Sequence, residues 1–133
     1  IITCDSFEGM PKAVTKGRKE TDGLLKSDFN LVNNKFKKFG VDDRITIVKG
    51  FIQKTLPTMN EKSFSFVFVD TAAYDSMKFA LEFIYPKVNK NGIIAVDDYT
   101  VTNKEFGQAE AVDEFCKKYN LQLNMNPFAH FKK

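Results

Sequence analysis

The chain has 133 residues, 43% of them hydrophobic and 28% charged, so it can bury one core but is short for a complete nucleotide-binding α/β enzyme. Its formal net charge is +3, and its lysines are scattered, which excludes the basic stripe expected of a nucleic-acid-binding face. No apolar run approaches the roughly 18–20 residues that span a bilayer, so no membrane segment is predicted.

The two cysteines, Cys4 and Cys116, lie far apart in unlike contexts, and neither belongs to a Cys-x-x-Cys pair. We therefore expect buried free thiols in a reducing compartment, and a cytoplasmic protein without a signal peptide. Residues 1–4 already have the apolar pattern of a core strand. We accordingly expect residues 1–133 to form a single domain that is truncated at its start.

The first third of the chain predicts a strand, a loop and a helix. Residues 1–4 form the apolar strand, and the Gly-, Lys- and Thr-rich residues 10–23 form the loop. Ser27 or Asp28 is a candidate cap for the helix, and Gly40 is a natural residue after its end. Its apolar positions, spaced by four and three residues, are Leu25, Phe29, Val32, Phe36 and Phe39.

The middle of the chain alternates strands with a helix. The β-branched residues 44–49 and the apolar residues 64–69 predict strands. One apolar stripe predicts a helix over residues 76–88, and the turn at 91–92 leads into a strand over residues 93–96.

The last third predicts a helix over residues 108–119 and an antiparallel hairpin of two short strands, 121–125 and 128–132. Across the whole chain, apolar strands alternate with amphipathic helices. This order is typical of an α/β protein whose mostly parallel sheet is covered on both faces.

Acidic residues follow three predicted strands: Asp5 the first, Asp70 the third, and Asp97 with Asp98 the fourth. In parallel sheets ligands bind outside the carboxyl ends of the strands. If the last two strands are neighbours, Asp70, Asp97 and Asp98 converge, and a divalent cation such as Mg²⁺ relieves their repulsion. Such a metal orients and acidifies a substrate hydroxyl, and a nearby carboxylate takes the proton. The alternative is that these aspartates only cap turns.

Two residues at other strand ends have the chemistry of a nucleoside site. The carboxylate of Asp5 is placed to accept hydrogen bonds from two ribose hydroxyls, and the absent side chain of Gly50 leaves room for a flat ring. The alternative is that Asp5 only caps a turn and that Gly50 only forms one, as a glycine after a strand usually does.

The remaining candidates are weaker. His130, the single histidine, is expected on the surface or in packing, because no catalytic partner is visible. Tyr74 and Tyr99 flank the acidic positions, and they either line a substrate pocket or pack.

Five segments, in order along nearly the whole chain, resemble the macrocin O-methyltransferase family, whose members modify sugar hydroxyls in antibiotic biosynthesis. Each segment is weakly specific, but five in register are fairly specific. The similar segments are residues 5–11 (D-S-F-E-G-M-P), 48–57 (V-K-G-F with T-L-P), 70–76 (D-T-A-A-Y-D-S), 85–99 (Y-P, N-G and D-D-Y) and 111–115 (A-V-D-E-F).

The resemblance implies a Rossmann-like class I methyltransferase, a three-layer α/β sandwich with a mostly parallel sheet and a C-terminal antiparallel hairpin. It implies S-adenosylmethionine and Mg²⁺ or another divalent cation as cofactors, and a small-molecule, sugar-like hydroxyl as the acceptor. The resemblance implies that Asp70 is the catalytic base, in addition to being a metal ligand. The implied cofactor-binding positions are Asp5, Ser6, Gly50 and Phe51, and the implied metal ligands are Asp70, Asp97 and Asp98.

The chain departs from the family pattern at three places. Ala72 replaces the second acid of a D-x-D motif, and Asn91 replaces one glycine of a G-G turn. The chain also begins at what would be the family's second strand. We therefore expect the family's first strand, its glycine-rich loop and its first helix to be missing. In the family, this first strand lies in the centre of the sheet. An unpaired sheet edge of this kind favours homo-oligomers.

Two other functions are consistent with the sequence. A non-catalytic α/β binding module is favoured by the missing glycine-rich loop, whereas the retained acids favour the enzyme. A receiver-type phosphoacceptor domain also uses clustered strand-end aspartates and Mg²⁺, but its acidic pair follows the first strand. Here the pair Asp97-Asp98 follows the last parallel strand, which disfavours a receiver domain.

Overall fold

The computed structural model describes residues 1–10, 23–71, 73–97, 99 and 107–133, and these residues form two compact units. The first unit contains residues 1–10 and 23–59, and the second begins at Asn60. Within these ranges, no helix is long and apolar enough to cross a membrane.

The first unit is built on two parallel strands, β1 (Ile2–Asp5) and β2 (Thr46–Lys49), which pair along their whole length. Helix α1 (Phe29–Lys38) lies between them in the chain, and the short helix α2 (Ile52–Thr55) follows β2. Two 3-10 helices complete the unit, at Asp42–Arg44 and Leu56–Met59.

Helix α1 starts one turn later than its apolar spacing predicts. The Asp28 carboxylate caps it by accepting a hydrogen bond from Leu31 N at 2.9 Å. Leu25 therefore lies before the helix, with a φ of 62° and a side chain 77% exposed. Gly40 follows the end of the helix as predicted, with a φ of 65° in the left-handed region. Arg44, predicted to begin a strand, ends a 3-10 helix instead.

The second unit contains a three-stranded sheet in the order β3 (Phe64–Val69), β4 (Val88–Val96), β5 (His130–Lys132). Strand β3 is parallel to β4, and β5 is antiparallel to it. Helix α3 (Tyr74–Ile84) connects β3 to β4, and α4 (Gln108–Tyr119) lies between β4 and β5 in the chain. The bounds of β3 and α4 agree with the predictions from apolar spacing.

The core of the second unit is formed by the apolar faces of α3 and α4 and by the strands. Phe115 on α4 centres an aromatic cluster, with its ring 5.3 Å from Tyr85, 4.7 Å from Tyr119 and 5.6 Å from Phe131. Each fully buried apolar side chain stabilises the fold by roughly 1.5–3 kcal/mol. The largest of these side chains are Met77, Leu81, Ile94, Val96, Val112 and Phe131.

Strand β4 is longer and less regular than predicted. It begins at Val88, which the helical stripe had placed in the preceding helix, because Pro86 has no N–H to continue the α-helical hydrogen bonds. The predicted turn at residues 91–92 lies inside the strand. There the pairing register shifts, because Phe64 pairs with Val88 whereas Phe66 pairs with Ile93. An advance of two residues along β3 therefore corresponds to an advance of five residues along β4.

The predicted C-terminal hairpin is realised differently. Residues 121–125 form no strand, and Asn124 is joined to His130 by an isolated antiparallel bridge with two hydrogen bonds of 2.9 Å. The antiparallel ladder instead joins β5 to β4. The hydrogen bonds of the chain end are therefore satisfied mainly by β4.

Candidate functional site

In the first unit, the ends of β1 and β2 bring together two of the predicted cofactor-binding residues. Asp5 pairs with Lys49 in the parallel register, and Gly50 N donates a hydrogen bond to Asp5 O at 2.8 Å. The two carboxyl ends thus lie side by side, as the sequence predicts for a parallel pair.

The Asp5 carboxylate also stabilises the turn that follows β1. Its Oδ1 accepts a hydrogen bond from Phe7 N at 2.6 Å. Oδ2 accepts no hydrogen bond from the residues that the structure describes. Oδ1 of Asp5 therefore caps the turn, as the alternative interpretation predicted. Asp5 is exposed, so its Oδ2 is accessible to a ligand.

Phe7 fixes this turn in a conformation that is unusual for a side chain with a Cβ. Its φ is 61°, which costs about 1–2 kcal/mol in the left-handed region. The ring is buried and contacts Phe29 edge to face at 5.2 Å, which offsets that cost. The Lys49 ammonium lies 5.4 Å from the centroid of the same Phe29 ring.

The other predicted cofactor residues have less specific environments. Ser6 Oγ accepts a hydrogen bond from Glu8 N at 3.1 Å and donates one to Gly9 O at 3.3 Å, so its hydroxyl serves the turn. Gly50 has a φ of 142°, and a Cβ there would lie 3.0 Å from Thr55 Cγ2. Phe51, half-buried, precedes α2 as its N-cap residue.

In the second unit, the ends of β3 and β4 bring together two of the predicted metal ligands. Asp70 and Asp97 directly follow strands whose last residues, Val69 and Val96, are register partners. Asp97 N donates a hydrogen bond to Val69 O at 2.9 Å, so the two chains are still adjacent at this point. Both aspartates are exposed, and neighbouring strands lie about 4.8 Å apart. Asp98, the third predicted ligand, lies outside the described residues.

Two carboxylates on adjacent strand ends suit a hard cation. Mg²⁺ is commonly bound by one or two carboxylates together with water and substrate oxygens. Among the described residues, no group of three or more His, Cys, Asp or Glu side chains is placed to hold a metal. The structure shows that Asp70 and Asp97 follow adjacent strand ends, and the metal-ligand set of Asp70, Asp97 and Asp98 stays a prediction.

Tyr74 and Tyr99, which sequence reasoning left undecided, both hydrogen bond to α4. Tyr99 OH donates to Asp113 Oδ1 at 2.7 Å, and Tyr74 OH donates to Glu114 Oε2 at the same distance. Lys78 Nζ donates to the Tyr74 hydroxyl at 2.8 Å and to Glu114 Oε2 at 3.0 Å. The sequence marked Asp113 and Glu114 only as part of a family segment. In the sequence, Asp113 and Glu114 lie between the apolar residues Val112 and Phe115. This pattern indicates that both acidic side chains lie on the exposed side of α4.

Burial and the neighbouring carboxylate shift two titrations beside this helix. Partial burial, followed by the hydrogen bond to Asp113, raises the pKa of Tyr99 to about 12. Burial, followed by the charge of Asp113, raises the pKa of the Cys116 thiol to about 11. Burial also raises the pKa of Cys4. Both cysteines are free thiols, as predicted, and Cys116 is buried whereas Cys4 is half-buried.

Two buried polar atoms of the second unit have no hydrogen-bond partner among the described residues: Thr71 Oγ1 and Gln108 Oε1. Thr71 directly follows Asp70, and Gln108 is the first residue of α4. An unsatisfied buried polar group costs about 1–3 kcal/mol. His130 is half-buried in β5, and its Nδ1 lies 2.9 Å from Phe128 O.

A groove between α3 and α4 is lined by charged residues that pair with one another. Lys78 bonds Glu114 at 3.0 Å, and Lys118 bonds Glu82 at 2.7 Å. Tyr119 OH also donates to Glu82 Oε2 at 2.9 Å. These contacts join the two helices, and they leave none of the described charges in the groove unpaired for a ligand.

The family model for macrocin-O-methyltransferase (TylF) matches residues 1–130. The 8-demethyl-8-(2,3-dimethoxy-alpha-L-rhamnosyl)-tetracenomycin-C 4'-O-methyltransferase of Streptomyces olivaceus is 30% identical over 130 residues, which cover 91% of this chain and 48% of that protein. The demethyldecarbamoylnovobiocin O-methyltransferase of Streptomyces niveus is 28% identical over 130 residues, with the same coverage of 91% and 48%. The chain thus spans about half the length of the curated relatives it matches.

Solved structures show the same fold. The O-methyltransferase NovP superposes with a TM-score of 0.82 at 23% identity, covering 99% of this chain and 59% of that one. The calicheamicin methyltransferase CalS11 superposes with a TM-score of 0.79 at 19% identity, covering 98% of this chain and 59% of that one. The Rossmann-like class I methyltransferase fold implied by the sequence is therefore confirmed. The match over residues 1–130 shows that the chain belongs to the macrocin-O-methyltransferase (TylF) family.

Proposed function

We propose that the protein to which this chain belongs transfers a methyl group from S-adenosylmethionine to a hydroxyl of a sugar-like small molecule. The observation that carries the proposal is the match to the macrocin-O-methyltransferase family over residues 1–130. The curated relatives are O-methyltransferases whose names specify a rhamnosyl-tetracenomycin and demethyldecarbamoylnovobiocin. Acidic residues at the carboxyl ends of parallel strands support the same reaction class.

The cofactor proposal rests on the ends of β1 and β2. Asp5 Oδ2 would accept hydrogen bonds from the ribose hydroxyls, while Oδ1 accepts the hydrogen bond from Phe7 N that holds the turn. Gly50 is hydrogen bonded to the Asp5 carbonyl, and we propose that the adenine ring would approach its backbone, which carries no side chain. Ser6 and Phe51 border this place, and we propose them as further cofactor contacts.

The metal proposal rests on the ends of β3 and β4. Asp70, Asp97 and Asp98 would hold Mg²⁺ or a similar divalent cation, and the first two fit it by their donor oxygens and adjacency. When bound, the cation lowers the pKa of the acceptor hydroxyl and orients it. Asp70 takes the hydroxyl proton as the base. The acceptor oxygen would then form a bond to the methyl carbon as the bond from that carbon to sulfur breaks, with S-adenosylhomocysteine as the other product.

A non-catalytic binding module is the second candidate function. The seven glycines of these 133 residues include no G-x-G pair, so the chain does not itself contain a glycine-rich cofactor loop. A receiver-type domain is disfavoured by the family match. We also propose a cytoplasmic location, where both thiols would stay reduced.

Calorimetric titration of S-adenosylhomocysteine into this chain, with and without Mg²⁺, separates the two candidates. We expect saturable binding that weakens about 10-fold or more in Asp5→Ala, because the lost hydrogen bonds involve a charged acceptor. Asp5→Asn keeps an acceptor for Phe7 N and tests the charge alone. Asp43→Asn, another exposed aspartate of the same unit, is the matched control and leaves affinity unchanged. No binding by a folded chain would favour the binding module.

A further inference from the structure

Two tyrosines that follow the strand-end acids bind neighbouring carboxylates on one helix. Tyr99 lies two residues after Asp97, and Tyr74 lies four residues after Asp70. Their hydroxyls donate to Asp113 and Glu114 of α4, both at 2.7 Å. Tyr99 and Tyr74, which follow two adjacent parallel strands, are thereby hydrogen bonded to the same helix.

Helix α4 is a rigid support for these contacts. Val112 and Phe115, which flank the acidic pair, are 0% and 3% exposed. A hydrogen bond to a charged acceptor is shorter and stronger than one between neutral groups. Backbone that is tied to a buried helix by such a bond loses freedom close to the acids that precede it.

We infer that Tyr99 and Tyr74 are positioning residues, which hold the segments carrying Asp97 and Asp70 in place through Asp113 and Glu114. The inference rests on the proposed function in that the positioned carboxylates are those proposed to bind the divalent cation. In this role neither tyrosine would touch the reacting atoms. Their effect is on how well the aspartates are preorganised, which outer hydrogen bonds do for metal ligands in general.

A third tyrosine of α4 provides an internal comparison. Tyr119 OH donates to Glu82 Oε2 at 2.9 Å, a bond of the same chemistry and similar length. It joins α4 to the last turn of α3, twelve residues after Asp70, and so lies far along the chain from both strand-end aspartates. Tyr119→Phe therefore measures the structural cost of losing such a bond without any effect on positioning.

The test compares Tyr99→Phe, Tyr74→Phe and Tyr119→Phe in this chain, with Mg²⁺ alone as the calorimetric probe. We expect Mg²⁺ affinity to fall about 10-fold in Tyr99→Phe, less in Tyr74→Phe, where Lys78 still bonds Glu114, and less than twofold in Tyr119→Phe. Asp113→Ala should match Tyr99→Phe. Asp113→Asn, which keeps an acceptor oxygen, should recover part of the affinity.

Amide hydrogen exchange at Asp97 gives a readout that does not depend on the metal. Exchange there should accelerate in Tyr99→Phe and stay at the wild-type rate in Tyr119→Phe, with Ile94 in the buried part of β4 as reference. Unchanged exchange and unchanged Mg²⁺ affinity in Tyr99→Phe would overturn the inference. If wild type binds no Mg²⁺ but exchange still accelerates, the metal proposal fails and the positioning role stands.

Discussion

Single side chains at the strand ends of this protein combine a local structural contact with an available polar group. Asp5 shows this best, because Oδ1 closes a turn through Phe7 N whereas Oδ2 has no partner among the described residues. A carboxylate held by one oxygen has fewer rotamers to lose when a ligand binds the other. The turn and the cofactor function of Asp5 are therefore compatible rather than competing interpretations.

Tyr99 makes the protein sensitive to alkaline pH. Burial and the bond to Asp113 raise its pKa to about 12, whereas an unfolded tyrosine titrates near 10. Because the folded pKa is the higher one, this contribution to stability is complete below about pH 10 and is lost between about pH 10 and 12.

Ultraviolet absorbance of ionised tyrosine should show one step near pH 12 in the folded protein, and Tyr99→Phe should remove it. Between pH 10 and 12, the free energy of unfolding should fall less in Tyr99→Phe than in wild type. A folded wild type that ionises Tyr99 near pH 10 would contradict this expectation.

At the scale of elements, β4 shows where apolar spacing is a sufficient predictor and where it fails. The bounds of α4 and β3 were predictable because each presents an uninterrupted apolar pattern of one period. Val88 continues the apolar spacing of α3 but lies in β4. The α-helix ends before it because Pro86 has no N–H to donate, and apolar spacing alone does not take this into account. The helical position predicted for Leu25 is also wrong, because the Asp28 cap makes α1 begin after Leu25.

The candidate site was predictable to a similar extent. Adjacency of Asp70 and Asp97, and of Asp5 and Gly50, follows from strands that end in polar residues and pair in parallel. The bonds from Tyr74 and Tyr99 to α4 could not be predicted, because they depend on how the helix lies against the segments that follow the strands. Such tertiary contacts leave no periodic pattern in the sequence.

Gly92 is required by the irregular part of β4. A Cβ at this buried position would lie 2.6 Å from Val88 Cγ1, 2.9 Å from Asn89 O and 3.1 Å from Ser65 O. We expect Gly92→Ala to lower the free energy of unfolding by about 1–3 kcal/mol, measured by urea denaturation.

A double-mutant cycle with Val88→Ala tests the cause. Removing the valine methyl groups should make Gly92→Ala less costly than it is in wild type, so that the two losses are not additive. Gly92 has no positive φ, so the expected cost of Gly92→Ala is steric. Full additivity of Gly92→Ala and Val88→Ala would show that this packing explanation is wrong.

At the scale of the whole molecule, β3 carries an apolar edge. Val69 O faces β4, since it accepts from Asp97 N, so by alternation the backbone groups of Phe66 and Phe68 face away from β4. Both side chains are more than half exposed, at 58% and 51%, and β3 has no second partner strand among the described residues. An unpaired strand edge presents backbone groups with which another chain can pair.

We therefore expect this chain to self-associate as its concentration rises, and Phe66→Lys to reduce the association. Phe39→Lys is the matched control, because Phe39 is 73% exposed but lies at the end of α1 and not in a strand. Sedimentation velocity over a range of concentrations measures the effect. Equal association of wild type and Phe66→Lys would rule out this edge as the contact.

The composition of β3 also has a consequence for biosynthesis. Phe64–Val69 contains no charge, proline or glycine, a pattern that favours aggregation while its partner β4, later in the chain, is still being made. The charged residues closest to the strand are Lys62 and Asp70, and charges in such places act as gatekeepers against aggregation. Neutralising Asp70 would thus lower the yield of soluble protein as well as remove a proposed metal ligand. Loss of methyl transfer in an Asp70→Asn variant is informative only when the amount of folded protein is measured beside it.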